Sequence, residues 1–66
     1  MRLVRLESLK DPAKPMYIDV YSIVGISAGE DGEGSVVFVR DARVTFHTRS
    51  SPDVVMELMK GALQHE

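Results

Sequence analysis

Residues 35–55 run Ser35-Val36-Val37-Phe38-Val39-Arg40, then Asp41-Ala42, then Arg43-Val44-Thr45-Phe46-His47-Thr48-Arg49, then Ser50-Ser51-Pro52-Asp53-Val54-Val55. The first segment is dominated by β-branched and aromatic residues, the composition of a strand. Asp41-Ala42 reads as a hairpin turn. The next segment alternates, with Val44, Phe46 and Thr48 on one face and Arg43, Thr45, His47 and Arg49 on the other, so it returns as the paired strand. A helix start follows. Ser51 can accept from the first-turn amides, Pro52 suits a position that needs no amide partner, and Asp53 faces the positive end of the dipole. Val55, Leu58, Met59 and Ala62 continue at helical spacing, Leu63 widens the stripe, and Gly61 weakens the helix near its end.

Working outward from this unit, Met1 to Leu6 reads as a short strand carrying Leu3, Val4 and Leu6. Lys10-Asp11-Pro12-Ala13-Lys14-Pro15 is a turn, because its prolines remove ladder donors. Met16 to Ala28 is rich in strand formers, but its alternation fails after Val20. A turn or bulge near Asp19 to Ser22 therefore separates one short strand from a second at Ile23 to Ser27. Gly29-Glu30-Asp31-Gly32-Glu33-Gly34 is a loop that tolerates positive φ. The expected fold is a single α+β domain, residues 1–66: a small antiparallel sheet of about four strands with one C-terminal helix packed on one face.

The chain has 66 residues, 44% of them hydrophobic, no cysteine and a formal net charge of −2. A domain of this size buries only about 60% of the surface its unfolded chain exposes, so its stability is marginal without reinforcement. Disulfides and thiolate metal sites are excluded, which leaves oligomerisation as the main reinforcement. The charge argues against a wholly cationic nucleic-acid binder. The basic start is followed by no apolar stretch of signal-peptide length, and no apolar run approaches the roughly 20 residues of a membrane span. The expected compartment is the cytoplasm.

Strand 35–40 is apolar on both faces, whereas a half-solvated antiparallel strand should alternate. One helix covers one face of a sheet. Val37 and Val39 are read as the face turned away from the helix, and a second copy of the chain is expected to cover them as an oligomer interface.

The chemistry-bearing residues are few. His47 lacks a partner at metal-ligand spacing and an evident nucleophile nearby. His65, beside the C-terminus, reads as solvated. The acidic loop is half the length of a calcium-binding loop, and its carboxylates would repel phosphate. Neither an enzyme nor a cofactor is expected. Arg40, Arg43, Thr45, His47 and Arg49 form the candidate contact surface, with Arg2 and Arg5 able to join it. Such a surface suits a protein partner with an acidic patch. Less favoured is a nucleic-acid backbone, with Tyr17 and Tyr21 as stacking platforms.

Val4-Arg5-Leu6, Met16-Tyr17-Ile18-Asp19, Ile23-Val24-Gly25-Ile26 and Arg49-Ser50-Ser51-Pro52-Asp53-Val54-Val55 together resemble the small flagellar proteins of the FlbD type. The resemblance spans most of the chain. It implies a small non-enzymatic accessory or regulatory protein and supplies no catalytic residues.

Overall fold

The structure, a computed structural model, describes residues 2–11 and 13–64. Met1, Pro12 and His65, to which the sequence assigns a strand start, a turn and a solvated end, lie outside them. Strands β1 (Leu3–Glu7) and β2 (Pro15–Asp19) form one antiparallel sheet. Strands β3 (Ile23–Ala28), β4 (Ser35–Val39) and β5 (Phe46–Thr48) form a second, in that order, and helix α1 (Pro52–Gln64) ends the chain. The α+β class, the antiparallel pairing and the C-terminal helix agree with the sequence reading; among the described residues the strands number five and divide between two sheets, and α1 packs on β1 and β3.

The break near Asp19 is a 3-10 turn over Val20–Ser22. Asp19 caps it, its carboxylate accepting from the Tyr21 amide at 3.1 Å, while the Ser22 hydroxyl donates back to the Asp19 carbonyl at 2.7 Å. This is how a short polar side chain competes with a strand ladder and ends it. The Pro-rich turn is held by Asp11, which accepts from the Ala13 and Lys14 amides. Pro15 nevertheless opens β2 opposite Glu7, a strand-end position that needs no donor.

A bulge sets the phase of β3. Ile23 pairs with Val39, but Gly25, not Val24, pairs with Phe38, and Ile26 then pairs with Val37. Val24 is the extra residue and lies exposed. The slip turns Ile26 inward beside Val37 and leaves Gly25 outward under the Phe38 ring, which lies 3.6 Å from where a Cβ would stand. The core is Val4, Leu6, Ile18, Val20, Val37 and Val55, with Met16, Ile23, Ile26, Val39, Phe46, Met59 and Ala62 packed against it. Val37 and Val55 are both 0% exposed, and burying each contributes about 1.5–3 kcal/mol.

This corrects the expected interface. Val37 is enclosed within its own protomer and Val39 is half-buried against the same core. The outward residue of this stretch is Phe38, 40% exposed. Ser35 shares the inward face with Val37 and is 1% exposed, its hydroxyl donating to the Ser50 carbonyl at 2.6 Å.

Candidate functional site

One buried polar side chain joins the two sheets. Thr48 is 0% exposed; its hydroxyl donates to the Glu7 carbonyl at 2.7 Å and accepts from the Ser50 amide at 3.3 Å. The bridge Ser8↔Thr48 lies alongside, with the Leu9 amide donating to the His47 carbonyl at 3.0 Å and the Arg49 amide to the Glu7 carbonyl at 3.3 Å. Pairing stops at this single bridge, so β5 and the segment after β1 diverge.

Their divergence opens a groove of about 450 Å³. Leu9, Met16 and Phe46 give it apolar walls, while Ser8, Lys10, Thr45 and His47 supply the polar groups. A smaller hollow of about 210 Å³ lies on the other side of Leu9 and His47, bordered by Glu30, Asp31, Glu33 and Ser35. The His47 ring lies 3.2 Å from the Thr45 hydroxyl through Nε2. Among the described residues no three His, Asp or Glu side chains converge to hold a metal ion. No local pattern announces the groove, because Leu9, Lys10 and Met16 reach it from the two sides of a turn.

The arginine surface is rearranged. β5 covers only Phe46–Thr48, so Arg43, Val44 and Thr45 are not strand residues, and Val44 is 64% exposed where the alternation had placed it inward. Arg40 and Arg43 flank the turn at Asp41, beyond the end of β4. Arg49 follows Thr48 at the opposite end of β5. All three are exposed, and none forms an ion pair with another described residue. Thr45 and His47 are brought together; the arginines do not share one strand face.

A second set of exposed side chains is apolar. Ten large hydrophobic side chains are exposed among the described residues, and four of them, Val54, Met56, Leu58 and Leu63, lie on α1. The sequence placed Leu58 in the core stripe, which is in fact Val55, Met59 and Ala62. Arg5 and Tyr17 oppose each other on the exposed face of the first sheet, with Leu3 beside them. Among the described residues no helix is long and apolar enough to cross a membrane. Comparison with protein-family models, with curated proteins and with solved structures finds no match for this chain.

Proposed function

We propose that this protein is a non-enzymatic interaction or regulatory module that works as a homo-oligomer. The observation that carries the reading is apolar exposure: among the described residues ten large hydrophobic side chains are exposed, four of them on α1. Apolar surface grouped on one element favours contact with another protein surface. An accessory role also fits the likeness to FlbD-type flagellar proteins. The alternative, nucleic-acid binding along Arg40, Arg43, His47 and Arg49, is weakened by the separation of Arg49 from the other two arginines at opposite ends of β5.

Light scattering across the micromolar range tests this reading. A mass that rises toward a multiple of 7.3 kDa with concentration is expected. A monomer throughout removes the oligomer. Binding to DNA or RNA at low salt that falls steeply as salt is added would transfer the function to the arginines.

A further inference from the structure

We propose that the groove beside β5 binds a small organic carboxylate with an apolar body, such as a medium-chain acid. The body lies on Met16 and Phe46, and the carboxylate meets Lys10, Thr45 and His47 at the rim. This goes beyond the oligomer reading and does not depend on it. The floor of the groove comes from the core. Met16 stands opposite Leu6 in the first sheet and Phe46 opposite Val37 in the second; both are half-buried and packed against the core cluster. Where pairing stops at Ser8↔Thr48 the two sheets part, and the groove opens onto these side chains. Its volume of about 450 Å³ falls within the roughly 300–1,000 Å³ of small-molecule sites, which combine apolar walls with a few polar groups. The unbranched thioether of Met16 can adjust to what enters.

The rim supplies donors and a cation. Thr45 and His47 share one hydrogen bond, 3.2 Å long through Nε2. A hydroxyl and a neutral imidazole hold two donor hydrogens between them, and that bond uses one. Whichever tautomer is present, one donor remains for a ligand. Lys10 is exposed and forms no ion pair with another described residue. Its sequence neighbour Asp11 is engaged in its own turn, accepting from the Ala13 and Lys14 amides and lying 4.0 Å from the Lys14 Nζ. Glu7 alternates with the inward-facing Leu6 along β1 and so points to the other face. Among the described residues no carboxylate lines the groove; Glu30, Asp31 and Glu33 border the separate hollow beyond Leu9 and His47. A cationic head therefore suits that hollow, and an anionic one suits the groove. A carboxylate has one oxygen for the ammonium of Lys10 and one for the donor left by Thr45 and His47.

Titration of the isotope-labelled full chain with decanoate at low salt, followed through the amide NMR signals, tests this. Saturable shifts are expected at Leu9, Lys10, Thr45 and His47. Decanol and decylammonium, which keep the chain length and change the head, are expected to bind at least about tenfold more weakly. Lys10→Gln, at an exposed turn position, is expected to weaken decanoate about fivefold and to leave decanol unchanged. Leu9→Ser, which removes an apolar wall, is expected to weaken both, with the remaining amide signals as the check on folding. Equal affinity for decanoate and decanol, tighter binding of decylammonium, or an unchanged decanoate affinity in Lys10→Gln overturns the carboxylate assignment. Shifts centred on α1, an unchanged affinity in Leu9→Ser, or no saturation by millimolar decanoate overturns the site. Each of these results leaves the oligomer reading standing, because none of them reads the mass of the protein.

Discussion

Both ends of β4 are turned by a residue with positive φ: Gly34, at +67°, just before the strand, and Asp41, at +61°, just after it. The backbone conformation is nearly the same, but the surroundings are opposite. A Cβ on Gly34 would collide with the Thr48 carbonyl oxygen, inside the junction of the two sheets. Asp41 stands exposed in a turn whose bond, from the Ala42 amide to the Val39 carbonyl, is long at 3.4 Å. One end of the hairpin is fixed by packing and buried hydroxyls, while the other is solvated and carries Arg40 and Arg43. Similar dihedral angles therefore say little about how much a position matters; the space around it decides.

The largest effect is expected at the packed end. Gly34→Ala combines left-handed strain with a contact no real Cβ tolerates, so Thr48 or the loop must move. A loss of about 3 kcal/mol is expected in urea unfolding. Gly32→Ala is the matched control. Gly32 has φ +74° but nothing within 4 Å of a Cβ, so it should cost only the conformational term, about 1 kcal/mol. Equal losses at the two glycines would mean that close packing at Thr48 is not what holds this end.

Thr48→Val comes next. It keeps the volume but removes the donor to Glu7 and the acceptor for Ser50; the Glu7 carbonyl keeps the Arg49 amide, while the part-buried Ser50 amide loses its side-chain partner, at a cost of about 1–3 kcal/mol. Hydrogen exchange should quicken first at the Leu9 and Arg49 amides, whose bonds span the same junction. Unchanged protection there would show that backbone pairing alone joins the sheets.

The contrast between the two ends also separates what the sequence discloses from what it hides. The helix start was legible, because Ser51 and Pro52 act locally: the Ser51 hydroxyl accepts from the Val54 amide at 3.4 Å and its carbonyl from the Val55 amide at 3.0 Å. The break at Asp19 and the glycine loop were legible for the same reason. Facing was not. Val36 to Val39 carries no polar marker, and the residues that fix its phase, Ile26 across a bulge and Thr48 across the hairpin, are distant in sequence. The alternation of Arg43 to Arg49 misled because a period of two is compatible with a strand without requiring one. Its first three residues gain no ladder. Of the candidate contact residues only Thr45 and His47 were correctly set side by side, and the groove they border depends on a turn that no local pattern describes.

The smallest effect is expected at the solvated end. Asp41 occupies the left-handed region more readily than most residues, so its strain is mild, and glycine there would remove that strain while loosening the unfolded chain. The two terms oppose each other, and Asp41→Gly should stabilise by about 0.5 kcal/mol or less in urea unfolding. The exposed Asp41 carboxylate lies between Arg40 and Arg43 in sequence, and its removal also raises the positive charge of that turn. A loss of about 1 kcal/mol or more would show that the aspartate side chain itself orders the turn. The two ends of β4 would then differ in the means of their fixing and not in its degree.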